Sequence, residues 1–240
     1  MHKTAMAYAE LFFRNYAIPN QSTKIVEIGS LNVNGSLRDV APEGSEYVGL
    51  DFDAGSGVDM VLRDAYSLPL ADGIADLVVS TSCFEHAQFF WLTFLEALRI
   101  LKPSGVLYIN VPSNGYYHRY PTDNWRFYPD AGLALSAWAQ RNGLNTALLE
   151  SFIGVQDGDV WNDFIGVFIK DRQFIQSYPT RMHLQVPRAT NILVEGDAIP
   201  QKMQLLPQDI RRWRYLDIRQ WRILARYGVA IISRRLKLAP

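Results

Sequence analysis

The chain reads as an α/β protein with a mostly parallel sheet of seven strands and helices on both faces. Three observations carry that reading. Short apolar, β-branched runs alternate with helix-like segments along residues 20–170. The first run, Lys24-Ile25-Val26-Glu27-Ile28, breaks into a turn holding Gly29 and Gly35. A second run, Tyr47-Val48-Gly49-Leu50, ends on Asp51. In open sheets an acidic residue at that position can hold the two hydroxyls of a ribose.

Residues 4–15 are good helix formers with apolar positions at helical spacing. Strands follow at 24–28, 46–50 and 58–62, with a turn and helix start near 35–40 between the first two. A strand at 75–81 leads to a helix over 88–101, and Lys102-Pro103-Ser104-Gly105 punctuates it before a strand at 105–111. A helix over 129–142 carries Pro129 in its first turn and stops at Asn142-Gly143. Strands near 146–155 and 161–169 complete the sheet. The reading therefore gives a nucleoside-binding domain over 1–170. Residues 171–240 form an irregular connection, with Pro179, Pro187 and Pro200, and a helical extension over about 207–236.

Composition bounds the function. With 240 residues, 48% hydrophobic and 20% charged, the chain can bury a sizeable core. A lone Cys83 rules out a disulfide framework or a thiolate metal site within one chain. No apolar run approaches the roughly 20 residues of a membrane span and no signal-peptide pattern opens the chain, so a cytoplasmic protein is expected. Net charge is zero, but residues 207–240 carry nine Arg and Lys against two Asp. The remainder is acidic, which argues against nucleic-acid binding by the main domain. The basic stretch interleaves Trp213, Leu216 and Trp221 with six arginines. It reads either as a helix docked on the domain or a second subunit, or as peripheral contact with an inner, anionic membrane face.

The first turn decides between cofactors. It does not match G-x-G-x-x-G, and Glu27 just before Gly29 is a poor neighbour for a pyrophosphate. A cationic cofactor without phosphate suits it better, and S-adenosyl-L-methionine has that chemistry.

Five segments in order then resemble the class I S-adenosylmethionine-dependent methyltransferases with their Rossmann-like sheet, and in particular their small-molecule "type 11" branch. These are Val26-Glu27-Ile28-Gly29; Tyr47-Val48-Gly49-Leu50-Asp51; Asp64-Ala65-Tyr66-Ser67-Leu68; Asp76-Leu77-Val78-Val79-Ser80 through Phe84-Glu85-His86; and Arg99-Ile100-Leu101-Lys102-Pro103-Ser104-Gly105. The resemblance implies that Glu27, Gly29, Ser30 and Gly35 line the methionine and ribose side. It places the ribose hydroxyls on Asp51, the adenine against Phe52, its amino group on Asp64 and a ring nitrogen on the Ala65 amide. Ser80 would lie beneath the methyl group. Here the usual glycine-rich turn is Gly-Ser-Leu-Asn-Val-Asn-Gly, a departure that bears on the loop contacts.

The acceptor side is read from residues 114–130, which leave the same sheet edge as the strand at 105–111. Tyr116, Tyr117, Trp125 and Arg126 are candidate acceptor-binding groups, flat apolar walls with polar groups for orientation. The run His-x-Tyr-Pro-x-Asp-x-Trp-Arg-Phe also resembles methyltransferases of surface-glycan and secondary-metabolite assembly. A hydroxyl acceptor needs a general base. His118 is the first candidate and His86 the second, with Asp123 orienting a histidine or binding the acceptor. Scattered carboxylates leave a divalent metal open, but no metal-ligand spacing is evident and no metal ligand is assigned. The expected function is O-methylation of a small molecule or glycan. The alternatives are a non-catalytic binding module of the same fold, or a nicotinamide-dependent oxidoreductase, for which no phosphate-compatible turn or Tyr-x-x-x-Lys is found.

Overall fold

The computed structural model describes residues 3–18, 22–154 and 161–204. In chain order the elements are α1 (Lys3–Tyr16), β1 (Lys24–Ile28), β2 (Glu46–Asp51), β3 (Met60–Val61), β4 (Ala75–Thr81) and α2 (Phe90–Ile100). They continue with β5 (Leu101–Pro112), α3 (Ala131–Arg141), β6 (Ala147–Ile153), β7 (Asp163–Ile169) and β8 (Thr190–Val194). The strands form one sheet in the order β3-β2-β1-β4-β5-β7-β6-β8. β3, β2, β1, β4 and β5 run parallel; β7 is antiparallel to both β5 and β6, and β8 is antiparallel to β6.

Strand alternation splits the core into two layers. Val26, Ile28, Val78 and Leu107 pack with Phe94, Ala97 and Leu98 of α2 and Leu135 and Ala139 of α3. On the other face Ile25, Leu77, Val79 and Tyr108 pack with Ala9, Phe12, Phe13 and Tyr16 of α1. Phe12 stacks on Tyr108 with ring centroids 4.7 Å apart. Helices therefore lie on both faces, as the alternation predicts.

Buried Glu150 of β6 fixes the second layer from within. Its Oε1 accepts from the Tyr16 hydroxyl at 2.5 Å and the Met182 amide at 2.7 Å. Its Oε2 accepts from the His183 amide at 2.9 Å and faces His183 Nδ1 at 2.8 Å. One carboxylate thereby ties α1 to the 3-10 helix Met182–Gln185, and a full set of partners is what makes a charge at 0% exposure tolerable.

Four expectations are corrected. The sheet has eight strands rather than seven, because Thr190–Val194 adds an edge beside β6 in a stretch with little sequence periodicity. The segment near 35–40 is a 3-10 turn, Leu37–Val40, capped by the Ser36 side chain. The third strand shrinks to two residues. Lys102-Pro103-Ser104-Gly105 lies inside β5 as a bulge: pairing shifts from Ala75↔Leu101 to Leu77↔Val106. A Cβ on Gly105 would come within 2.9 Å of the Asp76 carbonyl, so only glycine lets the bulged strand close on β4. The helix expected over 207–236 lies outside the described residues. No described helix is long and apolar enough to cross a membrane.

Candidate active site

Loops after β1, β2, β4 and β5 leave the sheet at one edge, the carboxyl ends of its parallel strands, where ligands of open α/β sheets bind. The turn after β1 is folded onto β2. Gly29, at φ +85°, and Ser30 donate their amides to the Leu50 carbonyl at 2.9 and 3.1 Å. Leu31 donates to Asp51 Oδ2 at 2.9 Å, Asn32 to the Ser56 carbonyl at 2.9 Å, and Gly35 to Asn32 Oδ1 at 2.9 Å. A side chain at position 29 would meet Cys83 Cβ at 2.7 Å, so the turns after β1 and β4 touch only because residue 29 is glycine.

These bonds are a test of cofactor fit. A pyrophosphate needs a nest of free amides, and five amides of this turn are already committed to protein acceptors. Asp51 has room to spare. Its carboxylate takes Leu31 on Oδ2, and Phe52 at 2.7 Å with a long contact from Asp53 at 3.4 Å on Oδ1, and since a carboxylate offers about four acceptor positions, Oδ2 keeps one. Phe52 beside it is 54% exposed, a free aromatic face at the strand end. The Ser30 hydroxyl is buried among these groups without a partner. An uncharged ribose and a cationic centre fit this crevice; a dianion does not.

Glu27 lies beneath the turn, 2% exposed. Its Oε2 accepts from the Tyr47 hydroxyl at 2.8 Å. Burial pushes its carboxyl up to about 7, against the pull of Tyr47 and Arg38. Between its ordinary 4.5 and that value, the folded chain holds a proton that the unfolded chain has released. Stability from this group is therefore greatest below about pH 4.5 and declines as pH rises toward 7. Glu27→Gln keeps the acceptor for Tyr47 and cannot ionise. Urea unfolding of the cofactor-free variant should gain on the parent from pH 4.5 to 8 by up to roughly 3 kcal/mol. An equal pH dependence in both would show that Glu27 ionises freely.

The other predicted cofactor residues are distributed as follows. Asp64 is exposed, and its Oδ1 caps the Tyr66 amide at 2.8 Å. Ala65 beside it is half-buried. Their loop is pinned to α2 because Glu96 accepts the Leu68 amide at 2.8 Å, while Arg99 donates to the Leu68 and Leu70 carbonyls. Ser80 is fully buried and donates to the Ile28 carbonyl at 2.8 Å, so its hydroxyl is occupied in joining β4 to β1. Gly35, at φ +130°, closes the first turn.

The acceptor candidates gather around the two histidines. The imidazoles of His86 and His118 meet edge to face with centroids 5.0 Å apart. His118 also packs on Trp161 at 4.9 Å and lies 6.2 Å from Tyr116. Asp123 and Arg126 form a fork, Oδ1 to Nη1 at 2.5 Å and Oδ2 to Nη2 at 2.8 Å. The guanidinium hydrogen bonds hold the Asp123 carboxyl down at about 2. Asp123 Oδ2 accepts the His118 amide at 2.7 Å and lies 3.4 Å from His118 Nδ1. Arg126 also donates to the Tyr116 carbonyl at 2.9 Å, so it braces the loop. Trp125 donates to the Ala87 carbonyl at 2.9 Å and packs against Phe90 and Trp91. Tyr116 and Tyr117 are 61% and 71% exposed.

Glu85 escapes a reading of sequence alone. It is 1% exposed and its Oε2 has no hydrogen-bond partner. Burial pushes its carboxyl up to about 8. Its only sequence signal is adjacency to His86 just past a strand end. Trp161 and Cys83 also go unread. Trp161 covers Gly115, where any Cβ would fall 2.0 Å from its ring. Burial pushes the Cys83 thiol up to about 12, with the Glu85 carboxylate adding to the shift, which makes it a packing group between the two halves of the site.

Residues 27–109 match the family model of a methyltransferase domain. No curated protein matches the chain. Solved structures share the fold at low identity. A Burkholderia thailandensis 1,6-didemethyltoxoflavin-N1-methyltransferase aligns at 12% identity and TM-score 0.56, over 70% of this chain and 79% of its own. The [4+2]-cyclase SpnF aligns at 14% and 0.52, over 69% and 81%. A Haloferax volcanii complex of the Trm112 methyltransferase activator with a methyltransferase aligns at 18% and 0.51, over 70% and 89%. Residues 27–109 are thus a methyltransferase domain, and S-adenosyl-L-methionine is its cofactor.

Proposed function

We propose that this enzyme methylates a hydroxyl of a small-molecule or glycan acceptor bound over the aromatic loop 116–128. The observation that carries the reading is the His118 imidazole, set 3.4 Å from the ionised Asp123 carboxylate at the edge that bears Asp51. An imidazole oriented by a carboxylate is the arrangement of a general base, and a hydroxyl needs one where an amine does not. Bound S-adenosyl-L-methionine supplies an electrophilic methyl carbon on a sulfonium. Asp51 would hold its ribose, and Phe52, Asp64 and the Ala65 amide would take its adenine. Tyr116 and Tyr117 offer their exposed faces to the acceptor, as sugar rings and aromatic acceptors both require. His118 would take the hydroxyl proton as the acceptor oxygen attacks the methyl group the bound cofactor would supply, with the neutral thioether as the leaving group. Asp123 steadies the resulting imidazolium, and His86 stands as the second proton acceptor.

The proposal is tested with methyl-labelled cofactor against matched panels of sugars, phenols and amines. Label on hydroxyl oxygens is expected. Label confined to amines would overturn the hydroxyl assignment and remove the need for His118.

A further inference from the structure

Glu85, His86 and His118 come from two different loops, yet one potential ligand atom from each lies within 4.8 Å of the others. The carboxylate is the least explained of the three. Buried carboxylates are normally saturated with partners, as Glu150 is, whereas Glu85 Oε2 is buried with none. Glu85 Oε1 lies 3.7 Å from His86 Nε2.

The histidines are held as ligands are held. His86 Nδ1 contacts the Thr122 carbonyl, a contact that puts the proton on Nδ1 and leaves the Nε2 lone pair facing Glu85. His118 has Asp123 Oδ2 at 3.4 Å and Arg126 Nη2 at 3.5 Å beside its Nδ1. The loops themselves are laced together: Asn124 and Trp125 donate amides to the Glu85 carbonyl at 2.8 and 3.1 Å, and Thr122 donates its hydroxyl to the His86 carbonyl at 3.0 Å. The nearby guanidinium of Arg126 is offset by its fork with Asp123.

We propose that Glu85, His86 and His118 bind one divalent first-row transition ion of the zinc class. Two imidazoles and one carboxylate suit zinc, iron, cobalt or nickel; magnesium and calcium prefer an all-oxygen shell. Three protein ligands leave coordination positions open toward the acceptor loop. An imidazole nitrogen that holds an ion has no lone pair for a proton, so the loaded and chelator-treated enzymes differ in the group that meets the acceptor. The ion and the proposed base use the same imidazoles, so the two roles exclude each other while the ion is bound, and the site is tested by ion binding alone.

The test is a titration of the chelator-treated full chain with Co2+, followed by visible d–d absorption in the absence of cofactor and acceptor. One equivalent should bind per chain, Zn2+ should displace it, and excess Mg2+ should not. His86→Ala and His118→Ala, each with parental circular dichroism, should weaken binding by roughly 100-fold or more, beyond the 10–100-fold that losing an outer-shell partner costs. Glu85→Gln, close to the same volume in a buried position, should do the same if either histidine variant misfolds. Absence of saturable binding, or binding of parental strength in a folded ligand variant, overturns the site. Because no methyl transfer is measured, that result would leave the proposed reaction untouched.

Discussion

Asp51→Ala should abolish measurable binding of S-adenosyl-L-methionine. Two ribose hydroxyls on one carboxylate are charge-assisted bonds of about 1.5–3 kcal/mol each, so their loss weakens binding roughly 100- to 10,000-fold. The same change strips the Leu31 and Phe52 amides of their acceptor, loosening the turn that wraps the cofactor. Asp51→Asn separates the two effects. An amide oxygen can still accept from Leu31, so the turn persists while the charge is lost, and an intermediate affinity is expected. Calorimetry reads both variants. Near-parental affinity in Asp51→Ala would refute the ribose assignment outright.

His118→Ala should lower kcat about 100- to 10,000-fold for a hydroxyl acceptor, the range general-base catalysis supplies. Cofactor affinity should stay at the parental value, since His118 belongs to the loop after β5 and not to the crevice at Asp51. The assay belongs in chelator, where both imidazoles keep their lone pairs. His86→Ala should cost less. Its Nδ1 is engaged by Thr122, and burial depresses its proton affinity, which weakens it as a base. An unchanged kcat in His118→Ala would remove it as the base, and a fall in cofactor affinity would mark it as structural.

What the sequence could reveal follows the range of the interactions involved. The β1 turn, Asp51 and the stop of α3 at Asn142-Gly143 are local events, and their residues announce them. The pairing of β8 with β6 joins segments some forty residues apart through backbone bonds, which no pattern within Thr190–Val194 encodes. The Asp123–Arg126 fork is an i,i+3 pair in an irregular loop. Its partners are visible in the sequence, but its role in bracing Tyr116 and His118 is set by the folded loop. Ser80 lies near the end of β4, and its hydroxyl is taken by the Ile28 carbonyl, a cross-strand bond invisible in one dimension. Glu85 is the clearest case. Its meaning lies in having no partner when buried, and burial is a property of the packed molecule.

The crevice over β1 and β2 is built for an adenosyl sulfonium and not for a phosphate-bridged coenzyme. Parallel calorimetric titrations of the intact chain with S-adenosyl-L-methionine and with NAD test it most directly. Saturable one-to-one binding of the sulfonium and no measurable heat from NAD are expected. Saturable NAD binding that competes with the sulfonium, or silence toward the sulfonium itself, would contradict it.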